Sequence, residues 1–174
     1  MNDWSSLYRS IFPDLVRFLH RKVWDEERAR DLAQEAFVRA LREEPDKPRP
    51  FLFAVAANLA RDEARTVIRR RKHLALIQGG ATEEAPADPE GELIRAESGQ
   101  RVREALEALS ERDREVLLLW DGGMSYTEIA ADTGLAPGAV GTTLARARKR
   151  LVETYEQGLN DRGKEGRRDN VAHR

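Results

Sequence analysis

The spacing of the apolar residues is the feature that most restricts how this chain can fold. Along most of its 174 residues, apolar side chains recur three or four positions apart, and no segment alternates apolar and polar residues as a half-buried strand would. Leu15, Phe18 and Leu19 show this spacing just after Pro13, whose fixed φ suits the first position of a helix. The sequence therefore predicts an all-α protein whose first helix begins at Pro13.

Capping residues and prolines set the limits of the next two helices. Asp25 can cap a second helix, whose apolar stripe continues to Leu41. Three prolines within residues 44–50 cannot continue that helix, so we expect a loop there. A third helix follows, with an apolar stripe from Leu52 to Val67, and it ends in a basic run.

Two segments differ in composition from the helices and divide the chain. Residues 78–92 hold five acidic residues, no basic residue and no large apolar side chain, which is typical of a linker. Residues 158–174 are polar, so we expect a disordered tail. The sequence thus predicts two small helical domains, residues 1–74 and 93–157, joined by a flexible acidic linker at 75–92.

The composition argues against a metal centre, a membrane protein and a secreted protein. The chain has no cysteine and its three histidines are far apart, so we expect no metal site and no cofactor. The longest apolar stretch, Phe51–Ala60, is far shorter than the roughly 20 residues of a membrane span. The N-terminus also lacks the pattern of a signal peptide, and we expect a soluble cytoplasmic protein.

No arrangement of residues predicts catalysis. The Gly-x-Ser-x-Gly and His-Glu-x-x-His motifs of hydrolases do not occur. Residues 158–164 resemble a phosphate-binding loop, but Glu165 stands where a magnesium-binding Ser or Thr is required, and no predicted strand precedes the loop. We expect no catalytic residues and no enzymatic activity.

Charge is distributed unevenly along a chain whose formal net charge is only −1. Residues 57–73 and residues 137–151 each carry a net charge of +4, whereas residues 24–46 carry −4. Solvated helix faces would explain any one of these runs. Two basic helices and one acidic helix together indicate two kinds of partner.

The strongest local pattern begins at Ser125. Ser125 and Glu128 form a capping box, Gly134 can end the helix that this box starts, and Pro137 can begin the next one. This pattern predicts a helix-turn-helix whose second helix enters the major groove of DNA. We expect the outer face of that helix to carry two threonines that contact base edges and three cations that contact phosphates. These residues are Thr142, Thr143, Arg146, Lys149 and Arg150.

Three segments around this motif, Leu109–Leu119, Ser125–Ala130 and Val140–Leu151, resemble the C-terminal domain of a bacterial sigma factor. Asp31–Leu41 resembles the polymerase-binding helix of the N-terminal sigma domain, and Asn58–Arg65 resembles the promoter-melting helix that follows it. A short chain with only these two domains resembles the extracytoplasmic-function (ECF) class. The resemblance implies a non-enzymatic protein that binds core RNA polymerase and directs promoter recognition, strand opening and transcription initiation.

The resemblance also implies roles for individual residues. The recognition helix would read the upstream promoter element, and an anti-sigma factor is a further partner of such proteins. The residues expected to bind RNA polymerase are Asp31, Gln34, Glu35 and Val38. Those expected to bind the downstream promoter element and take part in melting are Asn58, Arg61, Asp62, Arg65 and Arg69.

Two other functions fit parts of the sequence. The chain could be an autonomous helix-turn-helix regulator that binds operator DNA as a dimer, with residues 5–72 as a sensor or dimerisation module. It could also be an adaptor that binds another protein through its acidic helix. A dimer needs a self-complementary apolar surface, and the sequence shows no spare apolar stripe for one.

Overall fold

A computed structural model describes residues 3–78 and 93–169, and it places side chains for residues 3–69 and 98–160. All the regular secondary structure in this part of the chain is helical, which confirms the all-α prediction. The helices are α1 (Trp4–Val23), α2 (Glu26–Glu43), α3 (Pro48–Gln78), α4 (Leu93–Glu107), α5 (Glu111–Asp121), α6 (Tyr126–Thr133) and α7 (Pro137–Asp169).

Backbone contacts divide the chain into two compact units. The first contains Met1–Ala85 and Leu118–Glu128, and the second contains Pro86–Leu117 and Ile129–Arg174. In the first unit α1, α2 and α3 pack against one another and enclose an apolar core. The largest side chains of these three helices that are fully buried are Leu15, Leu19, Leu32, Leu52 and Phe53.

The first helix begins earlier than the sequence indicates. It starts at Trp4, where the Asp3 carboxylate accepts a hydrogen bond from the backbone of the first turn, and Pro13 lies inside it. The expectation that Pro13 begins the helix is therefore wrong. The residues before the proline explain the difference, because Ile11 is buried and the Phe12 ring stacks on Tyr8 at 4.4 Å between centroids. The burial of Ile11 and the stacking of Phe12 outweigh the hydrogen bond that a proline removes from a helix.

The connection between α2 and α3 is shorter than expected. The Asp25 carboxylate caps α2 as predicted, by accepting the Arg28 N–H at 2.9 Å. The helix ends with Glu44 in the left-handed conformation, and α3 begins at Pro48 and includes Pro50 in its first turn. Prolines are tolerated there because the first N–H groups of a helix have no partner within it.

In the second unit α4 packs against α7. Ser110 caps α5, since its hydroxyl oxygen accepts the Asp113 N–H at 3.1 Å. The core of this unit contains the apolar stripe of α7. Its buried side chains include Leu106, Val116, Ile129, Val140 and Leu144.

Two predicted segments lie partly outside the described residues. Of the predicted linker, residues 75–78 continue α3 and residues 79–92 are not described. The predicted tail begins at residue 158, whereas α7 continues to Asp169; residues 170–174 are not described. None of the described helices is both long enough and apolar enough to cross a membrane.

The core of the first unit yields a prediction that compares two leucines. Leu15 is fully buried and Leu41 is 48 % exposed. Leu15→Ala should lower the free energy of unfolding by about 2–5 kcal/mol, because it removes packed apolar atoms and leaves a cavity. Leu41→Ala should change it by less than about 1 kcal/mol. Urea unfolding followed by circular dichroism measures both, and equal losses would contradict the packing described here.

Candidate functional site

The helix-turn-helix is capped as its sequence predicts. The Ser125 N–H donates to a Glu128 carboxylate oxygen at 2.9 Å, and the Glu128 N–H donates to the Ser125 hydroxyl oxygen at 3.3 Å. The bond from the Ser125 backbone lowers the pKa of the Glu128 carboxyl group. Gly134 ends α6 at φ +71°, and α7 starts at Pro137. The capping box and both helix boundaries are therefore confirmed.

The outer face of α7 differs from the sequence prediction at one position. Thr142, Lys149 and Arg150 are exposed, as expected. Thr143 is only 5 % exposed, so the expectation that it faces outward is wrong. It follows Val140 by three residues and precedes Ala147 by four, and these spacings place it in the buried stripe of a helix. Thr143 is thus a packing residue of α7.

Arg146 holds a specific ion pair. Its Nη2 donates to Asp113 Oδ1 at 2.5 Å, and its Nε donates to Asp113 Oδ2 at 3.3 Å. The Asp113 side chain is almost wholly buried, whereas that of Arg146 is 57 % exposed. The hydrogen bond from Arg146 lowers the pKa of Asp113, with a further contribution from Ser110 and opposition from burial. The same bond raises the pKa of Arg146.

Asp113 was not singled out by the sequence. Its local signal is the Ser110-x-x-Asp113 spacing of a capping box, which explains the bond to Ser110. The partner on α7 is 33 residues away, so only the fold brings the two side chains together.

The acidic face of α2 agrees with the helical spacing of its residues. Leu32, Ala33, Ala36 and Phe37 are buried, and the opposite side is exposed. Glu35 pairs with Arg39, one turn later, at 2.5 Å. The four residues expected to bind polymerase lie together on the exposed side. They are Asp31, Gln34, Glu35 and Val38.

An apolar pocket adjoins this face. It has a volume of about 300 Å³ and lies between α1 and α2. Gln34 and Val38 belong to its lining, so it is continuous with the acidic face. Aromatic residues of α1 complete it, and sequence reasoning missed them because nothing local relates α1 to α2. The lining residues are Trp4, Tyr8, Gln34, Phe37, Val38 and Leu41.

The polar residues of α3 extend along one side of the helix. The Asn58 amide oxygen accepts a hydrogen bond from Arg61 Nη2 at 2.5 Å, and Arg65 Nη1 lies 3.4 Å from the Asp62 carboxylate. Asn58, Asp62 and Arg65 are exposed and Arg61 is half-buried. Arg69, one turn after Arg65, is exposed as well. The structure therefore brings all five predicted residues to one side of α3.

Two protein-family models match the chain in the order expected. Residues 7–71 match Sigma-70 region 2, and residues 99–151 match Sigma-70, region 4. ECF RNA polymerase sigma factor SigD of Mycobacterium tuberculosis is 36 % identical over 155 residues, which cover 83 % of this chain and 73 % of SigD. The chain belongs to the ECF sigma factors. This sigma factor directs promoter-specific transcription initiation, binding core RNA polymerase and promoter DNA.

Further comparisons agree with this family. RNA polymerase sigma factor YlaC of Bacillus subtilis is 30 % identical over 151 residues, covering 83 % of this sigma factor and 87 % of YlaC. CnrH, solved with the cytosolic domain of CnrY, is 26 % identical with a TM-score of 0.64, and 88 % of each chain is covered. RpoE of Bartonella quintana, solved with the anti-sigma factor NepR, has the same fold at 24 % identity and a TM-score of 0.63, with 90 % of this chain and 98 % of RpoE covered. The chain is therefore a sigma factor, and the alternative of an autonomous regulator that binds operator DNA is set aside.

The ion pair of Asp113 predicts how stability depends on pH. Because the folded state lowers the pKa of Asp113, the ionised carboxylate stabilises the fold above its ordinary pKa of about 3.9. That stabilisation is lost as the pH falls through the lower pKa of the folded state. Asp113→Asn should therefore lower the melting temperature at pH 7, and its difference from the wild type should shrink below about pH 4.

Asp46→Asn is the matched control, since Asp46 is an exposed carboxylate in the loop before α3. It should melt close to the wild type at neutral pH. Thermal unfolding followed by circular dichroism measures all three proteins. A destabilisation by Asp113→Asn that is equal at pH 7 and pH 3 would show that the charge of Asp113 does not contribute.

Proposed function

We propose that this sigma factor divides initiation among three surfaces. The acidic face of α2 docks on core RNA polymerase, the polar side of α3 holds the opened downstream element, and the outer face of α7 reads the upstream element. In this proposal one domain spans residues 1–74 and contains α2 and the part of α3 before residue 75. The other spans residues 93–157 and contains the part of α7 before residue 158. The observation that carries the proposal is that the predicted contact residues on α2 and α3 each gather on one exposed side of a helix.

The charge of each surface suits its partner. The net charge of −4 on residues 24–46 favours binding to a basic protein surface. Complementary charge between the two surfaces speeds and orients docking. The net charge of +4 on residues 57–73, and again on residues 137–151, favours binding to DNA. Cations that contact phosphates release counterions from the DNA, and this release strengthens binding. The acidic face of α2 therefore repels DNA from the site that we propose for polymerase.

Transcription tests the proposal as a whole. The chain should support run-off transcription by core RNA polymerase on genomic fragments, beginning with the region upstream of its own gene. Core enzyme alone is the control. Transcripts that start at the same positions with and without the chain would contradict the proposal. Because it works on core polymerase, we place its action in the cytoplasm.

We also propose control by an anti-sigma factor. The proposal is supported by RpoE of Bartonella quintana, which has the same fold and was solved with the anti-sigma factor NepR. Such a partner would block run-off transcription when it is added before core polymerase and would have less effect when it is added afterwards.

The docking surface gives a prediction for binding to polymerase. Asp31→Arg with Glu35→Arg should weaken binding to core polymerase by about tenfold or more, because like charges then face a basic surface. Glu104→Arg with Glu107→Arg is the matched control, since it reverses two exposed charges on α4. Fluorescence anisotropy of labelled protein measures both affinities. Equal affinities of the two double variants for core polymerase would show that α2 is not part of the interface.

The polar side of α3 gives a prediction for strand opening. Asn58→Ala and Arg65→Ala should slow open-complex formation by about fivefold or more on duplex promoters, since these residues are proposed to hold the separated strand. On a template with a pre-opened bubble the loss should be smaller, because the energy of strand separation has already been supplied. Thr66→Ala, an exposed neighbour on α3, is the control. Permanganate footprinting measures opening, and equal losses on both templates would assign the residues to docking or folding.

A further inference from the structure

The ion pair with Asp113 fixes the orientation of the Arg146 side chain on the outer face of α7 and balances its charge. The guanidinium is planar and carries five N–H donors in a fixed geometry. Two of these donors, on Nε and Nη2, are directed at the buried carboxylate. The carboxylate is itself fixed, because it lies in the first turn of α5 and contacts Ser110. The orientation of Arg146 is thus set before any ligand arrives.

The bonds to Asp113 leave one edge of Arg146 available. The Nε side of the guanidinium is occupied, so the remaining donors are the two on Nη1 and one on Nη2. One N–H of Nη1 and one of Nη2 point away from the arginine stem and lie parallel. A guanine presents two acceptors, O6 and N7, side by side in the major groove, and this edge of an arginine matches them.

The pair also removes the net charge that a phosphate contact needs. An ionised Asp113 beside Arg146 gives a pair with a total charge of zero, so Arg146 releases fewer counterions on binding DNA. Lys149 is different, since the Glu153 carboxylate that it faces is 3.9 Å away and both side chains are largely exposed. Arg146 and Lys149 are therefore suited to different tasks.

We infer that Asp113 is a positioning residue that makes Arg146 a reader of a guanine in the upstream promoter element. Lys149 and Arg150 remain contacts to phosphate. The inference rests on the proposed placement of α7 in the major groove. It differs from the expectation that Arg146 is one of three equivalent phosphate contacts.

The test uses holoenzyme assembled from the full chain and core RNA polymerase. Wild-type holoenzyme first selects duplexes from a random library. Affinity is then measured for the selected duplex, for all its single-base-pair variants and for a scrambled duplex, each at two salt concentrations. Asp113→Asn should reduce the preference at one G·C pair by about tenfold, raise the affinity for the scrambled duplex, and steepen the salt dependence by up to about one unit.

Glu153→Gln is the matched control, because it also removes one carboxylate beside a cation of α7. It should keep the preference at every base pair. Arg146→Lys is the second variant, since it keeps the charge and removes the planar edge. Arg146→Lys should lose the preference at the same G·C pair as Asp113→Asn. Because the Arg146 side chain is largely exposed, this variant should fold even if Asp113→Asn does not.

The outcomes separate this inference from the proposed function. If wild-type holoenzyme selects no common sequence, the placement of α7 on the promoter fails, and the inference fails with it. If it selects a sequence and either Asp113→Asn or Arg146→Lys keeps every base preference, only the inference is overturned. Loss of the same preference in Glu153→Gln would also overturn it, because the effect would then come from overall charge.

Discussion

In α2 and in α7 only one stripe of side chains is buried, and the charged surfaces of this protein depend on this constraint. In α2 the buried stripe is made by small and large apolar residues, including Ala33 and Phe37, so the opposite side is left for Asp31 and Glu35. In α7 the stripe through Val140 and Leu144 leaves Lys149 and Arg150 outside. The burial of one side of each of these helices thus places the charged residues together on the other side.

The features that the sequence predicts correctly are those set by neighbours along the chain. Asp25, Ser125 with Glu128, and Gly134 act on residues within one helical turn, so their pattern is sufficient. Pro13 is misread because the burial of Ile11 depends on other helices. The pairing of Asp113 with Arg146 joins α5 to α7 and has no local signal.

Thr143 shows a different kind of error. A polar side chain at the edge of an apolar stripe is assigned to the outside by its chemistry and to the inside by its angle around the helix. The angle decides here, because Thr143 is flanked in the stripe by Val140 and Leu144, both fully buried. The family and the all-α fold could be predicted from the sequence, whereas the fold was needed to show which residues of α7 are exposed.

The position of Asp113 has a consequence for comparing sigma factors with one another. It lies on α5, outside the helix that we propose to enter the groove, and its carboxylate accepts hydrogen bonds from Nε and Nη2 of Arg146. In our inference these bonds determine which edge of Arg146 is presented to DNA. Two relatives with identical recognition helices would then prefer different promoters if they differed at this single place. A regulon could be retargeted in evolution by one substitution that leaves every residue on the DNA-facing surface unchanged. Grouping paralogues by the recognition helix alone would assign such a pair to the same set of genes.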